Sequence, residues 1–317
     1  MSNLTVSAAD EKRVKALGFL RNKGTDNFSG RIITVNGKIT AAQNRCISEA
    51  AELFGNGNVT FTSRLTVEVQ GIPYDKIEDF RAYIAKEGLV TGGTGSKVRP
   101  VVSCKGTTCR FGLIDTFAVS EEIHERFYNG YSDVKLPHKF KIAVGGCPNS
   151  CVKPDLNDLG IVGQLIPNYD EDLCMGCKKC SVEESCPMDA AKVIDGILQI
   201  DKDVCNNCGL CVGKCHFDAI EGGQVGYKVY IGGRWGKRTA HGKPLGKIFT
   251  DKDEALDVIE KTILLYREQG KTGERLSQTI ERLGFENIEA QLLSNDIFDR
   301  KQEILEASLH ESGGATC

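Results

Sequence analysis

The sequence predicts an α+β protein that carries a small metal-binding module within it. Three observations carry this prediction. Helix-period and strand-period segments follow one another up to residue 103 and again from Gly226 onward. At Pro167 the composition turns cysteine-rich, acidic and short-turned, and near Gly226 it turns back. All of the 14 cysteines except Cys46 and Cys317 fall into closely spaced groups.

The elements read as follows. Residues 8–19 form a helix. Residues 31–36 (RIITVN) form a strand, closed by a turn at Gly37. Thr40 caps a second helix, with Gln43 completing a capping box and Gly55 as its stop. Residues 59–70 alternate as one strand, with Phe61, Ser63, Leu65, Val67 and Val69 on one face. Thr60, Thr62, Arg64, Thr66, Glu68 and Gln70 lie on the other. A helix over 74–86 stops at Gly88. VTGGTGSK (90–97) is a glycine-rich loop, and 99–103 is a short strand. Residues 139–144 (KFKIAV) form a strand running into Gly145, Gly146 and Cys147. Further strands are expected at 159–165 and in YKVYIGG, with helices over 252–268 and 274–283 and a polar tail from Ser294. Residues 168–220 read as a module inserted into the larger domain.

Composition bounds the function. With 40% hydrophobic and 26% charged residues the chain supports a large core and about two domains. A net charge of -3 argues against nucleic acid as a partner. The amino terminus lacks the basic and apolar regions of a signal peptide, and no apolar run approaches the roughly 20 residues that span a bilayer. The expectation is a cytoplasmic protein without a membrane partner, whose clustered cysteines are metal ligands rather than disulfides. GGTGSK and GNGNV lack the third glycine of a dinucleotide fingerprint, so no nicotinamide or flavin site is expected.

Cys174-x2-Cys177-x2-Cys180-x5-Cys186 and Cys205-x2-Cys208-x2-Cys211-x3-Cys215 resemble a bacterial two-cluster ferredoxin. In such tandem runs three thiolates wrap one cubane and the fourth comes from the other run. Cys174, Cys177, Cys180 and Cys215 are therefore expected at one cluster, and Cys205, Cys208, Cys211 and Cys186 at the other. A zinc ribbon is the competing reading, but the third Cys-x2 step in both runs argues against it.

Cys104, Cys109, Cys147 and Cys151 form a looser set, readable as a further cluster or as buried thiols. Lys139 and Lys141 project to one side of their strand while Phe140 and Ile142 point to the core. With Arg31 and Arg99 they suggest a cationic pocket for a small oxyanion. Cys46 reads as a core residue, Cys317 as a free thiol, and His138 as a surface histidine.

SCKGTTC (103–109) and KFKIAVGGCPNSC (139–151), following TSRLTVEVQG (62–71), resemble the signature of the siroheme-dependent sulfite and nitrite reductases. The inserted cluster module narrows this to a subunit of the anaerobic, dissimilatory-type sulfite reductases. The resemblance implies a ferredoxin-like siroheme-reductase half-domain (1–95) and an α/β siroheme and iron–sulfur domain in two parts (96–167 and 221–294). A two-[4Fe-4S] ferredoxin domain (168–220) is inserted between those parts, and a tail (295–317) follows. It implies siroheme and three [4Fe-4S] clusters. Cys151 would then be both a cluster ligand and the axial ligand of the siroheme iron. Arg31, Arg99, Lys139 and Lys141 match substrate-binding residues, and Arg64, with Gln70 beside it, matches the siroheme contacts. Arg234, Lys237 and Arg238 either pair with siroheme acid groups or form a basic surface loop. The implied reaction is six-electron reduction of sulfite to sulfide, fed by an iron–sulfur subunit and a flavin subunit that oxidises NADH. Siroheme nitrite reduction and a non-catalytic electron-transfer role are the alternatives.

Overall fold

The structure is a computed structural model that describes residues 6–311. It is a mixed helix-and-sheet fold, and its residues group into two compact units. The first holds the chain up to Ser103, Ala118–Ile142 and the chain from Glu260 on; the second holds Cys104–Phe117 and Ala143–Ile259.

The first unit is built on an antiparallel sheet of β1 (Phe19–Arg21), β2 (Asn27–Ile32), β3 (Val59–Phe61) and β4 (Val67–Pro73), in the order β1-β2-β4-β3. Helices α1 (Ala8–Ala16), α2 (Ala41–Phe54) and α3 (Ile77–Ile84) accompany it. The capping box forms as expected: the Gln43 N–H donates to Thr40 Oγ1 at 3.1 Å and the Thr40 N–H to Gln43 Oε1 at 3.0 Å. Ile47, Ala50 and Ala51 of α2 are buried in one core with Phe28, Val69 and Ile72 of the sheet. Phe80 of α3 meets Phe19 edge-on at 5.9 Å. Position 30 must be glycine because a Cβ there would lie 2.8 Å from the Phe19 ring.

Two expected strands change here. Residues 59–70 are not one strand but a hairpin, β3 and β4, whose turn is held by the Thr62 N–H on the Thr66 carbonyl (2.9 Å). Leu65 adopts φ 60 in that turn, and the Thr62 and Thr66 hydroxyls lie 2.7 Å apart. Unbroken alternation conceals such a turn, and Phe61, on the expected apolar face, is 72% exposed. The strand expected at 31–36 ends at Ile32, because Asn36 and Gly37 take φ 53 and 80. The register then sets Arg31 of β2 directly opposite Glu68 of β4.

A second sheet runs β11-β10-β7-β6-β5, with β5 (Val102–Ser103), β6 (Ile142–Gly145), β7 (Leu159–Pro167), β10 (Gly223–Ile231) and β11 (Lys243–Phe249). The strand expected at 139–144 thus starts later, yet Phe140 and Ile142 are buried and Lys139 and Lys141 half-buried, as the alternation requires. Strands β7 and β10 pair antiparallel from Leu159↔Ile231 to Pro167↔Gly223. The intervening segment therefore leaves and returns at one end of a strand pair. It contains α5 (Ser181–Ser185) and the hairpin β8 (Ala191–Ile194) and β9 (Ile197–Ile200), around a small core of Val182, Ala191, Leu198 and Ile220.

Helix α4 (Thr116–Ile123) continues into a π-helical turn, His124–Asn129. The carboxy-terminal part holds α6 (Lys252–Gln269), α7 (Leu276–Leu283), α8 (Phe285–Leu293), α9 (Asp296–Asp299) and α10 (Lys301–Glu306). The tail expected from Ser294 is thus helical as far as Glu306, and Cys317 lies outside the described residues. Cys46 is buried in α2. Among the described residues no helix is long and apolar enough to cross a membrane.

Candidate functional site: a cationic cavity and three sets of cysteines

Five cations line one cavity of about 230 Å³ in the first unit: Arg31, Arg64, Arg99, Lys139 and Lys141. Thr62, Ser63 and Thr66 of the β3–β4 turn add hydroxyl groups, and Gly93 and Pro100 complete the wall. Each arginine is fixed differently. Arg31 is paired with Glu68, Nε and Nη2 lying 2.8 and 2.6 Å from the same carboxylate oxygen, and its Nη1 donates to the Gly93 carbonyl at 3.1 Å. Arg99 also donates to the Gly93 carbonyl through Nη1, and its Nε is buried without a partner. Burial, then repulsion from Arg31 and Arg275, pulls the Arg99 guanidinium down to about 10; the nearby Tyr128 works against that. It stays charged at neutral pH.

Arg64 sits at the tip of the β3–β4 hairpin. It donates to the Pro100 carbonyl from Nε (3.1 Å) and Nη2 (2.6 Å), and to the Ile142 carbonyl from Nη2 (3.0 Å). Gln70 is not among the lining residues; its amide donates to Thr60 Oγ1 at 2.8 Å. Glu68 and Tyr128 carry no sequence signal, because a cross-strand partner and a buried phenol become visible only in the fold. The serine and threonine hydroxyls escape a sequence reading because the turn reads as strand.

The second unit holds the clustered cysteines. Among the described residues all are free thiols. Cys104 and Cys147 lie on two loops that touch through glycine: a Cβ on Gly146 would come within 2.9 Å of Gly106 Cα and 3.4 Å of Cys104 Sγ. The Gly146 N–H donates to Cys104 Sγ at 3.2 Å. Burial raises the Cys147 thiol, and Cys104, Cys151 and Cys109 all push it in the same direction, so the three other sulfurs lie near it. Cys151 is the exposed member.

In the segment after β7, Cys186, Cys205, Cys208 and Cys211 line one small cavity with Pro187, Ile200 and Leu210. Burial, with these same three cysteines contributing, pushes the Cys211 thiol up to about 11. Cys174 behaves oppositely. Burial would raise it, but the Leu198 and Gly176 N–H groups and the Tyr169 hydroxyl outweigh burial and lower it. Gly176 takes φ 57, and any side chain there would strike the Gly196 carbonyl at 2.0 Å. Burial raises the Tyr169 phenol, and Cys174 and Cys215 nearby push it in the same direction.

Among the described residues no three histidine, cysteine or carboxylate side chains converge as on a single metal ion. A cubane spreads its thiolates, one to each iron, so sulfur-only sets aided by backbone N–H donors suit that group better than a lone ion. In the β10–β11 loop, Lys237 and Arg238 are exposed, and Lys153 lies 6.0 Å from the centre of the exposed Trp235 ring.

Comparison with known proteins agrees with this chemistry. Residues 94–297 match the model of the nitrite and sulphite reductase 4Fe-4S domain, and residues 21–87 that of the nitrite/sulfite reductase ferredoxin-like half domain. The chain is 33% identical to the coenzyme F420-dependent sulfite reductase of Methanocaldococcus jannaschii over 73% of its own length and 36% of that protein. It is 28% identical to a subunit of the anaerobic sulfite reductase of Salmonella typhimurium over 42% of each chain. The chain thus spans less than half of either relative. The crystal structure of dissimilatory sulfite reductase I superposes with a TM-score of 0.66 at 22% identity, covering 84% of this chain and 69% of that one. Two matched domains and a shared fold converge: the chain belongs to the siroheme-dependent nitrite and sulphite reductase family.

Proposed function

We propose that this chain is the catalytic subunit of a siroheme sulfite reductase, taking hydrogensulfite to hydrogensulfide with six electrons and six protons and releasing three waters. The observation that carries this reading is the cavity of five cations, two of which, Lys139 and Lys141, stand just before the Cys147 loop in sequence. When bound, siroheme and an iron–sulfur cubane would supply electrons one at a time. Cys104, Cys109, Cys147 and Cys151 would hold the adjacent cubane, with Cys151 also on the haem iron.

The cavity's own residues explain the substrate class. A small oxyanion loses its hydration shell on entry, and the fixed cations replace that shell at no cost of reorganisation. Arg31 and Arg99 are set as a pair on one carbonyl, and each guanidinium presents a fork of N–H donors that suits the oxygens of a small oxyanion. Lys139 and Lys141 are ammonium groups that can give up protons as S–O bonds break. Arg64, tied to two carbonyls, holds the hairpin tip and its hydroxyls at the cavity wall, and would with Gln70 contact the siroheme. Residues 168–220 would act as a two-cluster ferredoxin inserted between the parts 96–167 and 221–294. It would draw electrons from partner proteins, since the Salmonella relative is itself named as one subunit of its reductase.

The test is anaerobic purification from cells supplied with siroheme, with absorption, iron and sulfide analysis, then turnover of sulfite and nitrite. A Soret band, about twelve iron atoms per chain in three cubanes, and faster sulfite than nitrite reduction are expected. Faster nitrite turnover would move the assignment to nitrite reduction, and a preparation with clusters but no Soret band would leave only electron transfer.

A further inference from the structure

The π-helical turn His124–Asn129 is a widened turn of a kind rare in proteins and frequent at functional sites. It carries Tyr128, which stacks on His124 at 4.8 Å with an interplanar angle of 29°. His124 Nδ1 is buried without a hydrogen-bond partner, so the stack is not explained by a polar contact of that nitrogen. The phenol end of Tyr128 reaches the Gly92–Gly93 loop. A Cβ on Gly92 would lie 2.9 Å from the phenol oxygen, so that oxygen packs directly against the Gly92 backbone. The carbonyl of the same Gly93 gathers Arg31 and Arg99.

Two like charges on one carbonyl repel. Arg31 has Glu68 to offset it, whereas Arg99 is half-buried and its Nε is buried without a partner. The Gly92 N–H donates to the Arg31 carbonyl at 3.1 Å, whereas Gly93 beside it, at φ 73, is the freer residue. The phenol oxygen packs against Gly92, the residue just before Gly93 in the chain. We propose that Tyr128 is a positioning residue for anion binding: by packing against Gly92 it holds the adjoining Gly93 carbonyl, and so fixes the spacing of Arg31 and Arg99 and thereby the affinity of the cavity for a small oxyanion. This rests on the reading of the cavity as the sulfite site.

The experiment uses the siroheme-loaded full chain and sodium sulfite. The dissociation constant is read from the Soret shift, beside kcat and KM. In Tyr128→Phe, which keeps the ring and its stack, Kd and KM rise about tenfold, about 1.4 kcal/mol, while kcat and haem content stay within about twofold. Gly92→Ala displaces the phenol from the other side and shifts Kd in the same direction. That variant decides the question should Tyr128→Phe fail to take up haem. Unchanged Kd in both variants, even with lowered thermal stability, would overturn the inference and leave Tyr128 a packing residue. A wild-type holoenzyme with no sulfite-dependent Soret shift would instead remove the reading of the cavity, and the inference with it.

Discussion

The cationic cavity and the cysteine-rich segment solve opposite problems by opposite means. The segment after β7 gathers thiols that are neighbours in sequence, and its loops fix them with N–H groups, such as Leu198 on Cys174 at 3.3 Å and Asn207 on Cys205 at 3.4 Å. The cavity gathers cations from β2, from the β3–β4 turn, from the stretch before β5 and from the stretch before β6, and fixes the arginines with carbonyls and the Glu68 carboxylate. Donors surround the future anions, and acceptors surround the cations. The difference teaches that one site is held by local geometry and the other by the whole of its unit. Damage to the first should stay local, whereas damage to the second should be graded.

The largest effect expected is from Cys211→Ser. This half-buried sulfur sits in the cavity shared with Cys186, Cys205 and Cys208. Its loss should remove one cluster, about four irons per chain, and cut turnover with the physiological donor by more than about a hundredfold, while the Soret band remains. Simultaneous loss of the Soret band would break the claim of local damage. Lys141→Met should come next. It removes one ammonium from the cavity and should lower kcat for sulfite about 10²–10³-fold with haem and iron content intact. Unchanged turnover would mean that the cavity is not the substrate site.

These contrasts also decide what can be read from sequence. Spacing alone proposes the set of Cys186 with Cys205, Cys208 and Cys211, because a Cys-x2-Cys loop carries its own geometry. Lys139 and Lys141 are legible because a two-residue period places both on one side, whatever the strand's exact limits. The hairpin at 59–73 is not legible. Thr62, Arg64 and Thr66 continue the alternation through a turn that is made by Leu65 in a left-handed conformation and by hydroxyl contacts. The pairing of Arg31 with Glu68 depends on that hairpin's register, and no local pattern contains it.

The frame behind the cavity should respond to acid in a way the cysteine-rich segment does not. Glu274 precedes Arg275, one of the charges acting on Arg99. It accepts from Arg282 Nε and Nη2 at 3.0 and 2.9 Å, from the Lys271 N–H at 3.0 Å and from the Thr279 hydroxyl at 3.0 Å. Burial alone would raise its carboxyl, yet these partners bring it down to about 2. A carboxylate whose native pKa lies below its unfolded value of about 4.3 adds stability that is complete above about pH 5 and is lost as the pH falls toward 2. With solvent screening, the amount is about 1–2 kcal/mol. Glu274→Gln should therefore lower Tm by a few degrees at pH 7, with the gap to wild type closing by about pH 2. A gap that persists at pH 2 would assign the effect to packing instead.

The smallest effect sharpens the comparison most. Glu68 is a carboxylate paired with a lining cation, and it lies 17% exposed opposite Arg31, itself 20% exposed. If the cavity serves to hold an anion, Glu68 subtracts from that purpose while orienting the guanidinium. Glu68→Gln separates the two roles. The amide oxygen still accepts from Arg31, so geometry is kept, while one negative charge leaves the wall. Sulfite should then bind about two- to fivefold more tightly at low ionic strength, with the gain fading as salt is raised over the physiological range. Weaker binding would show that Arg31 needs the full charge of Glu68 to stay in place, so that orientation rather than net potential limits the cavity. No equivalent neutral swap exists among the cysteines, where the ligand atom and the charge are the same sulfur.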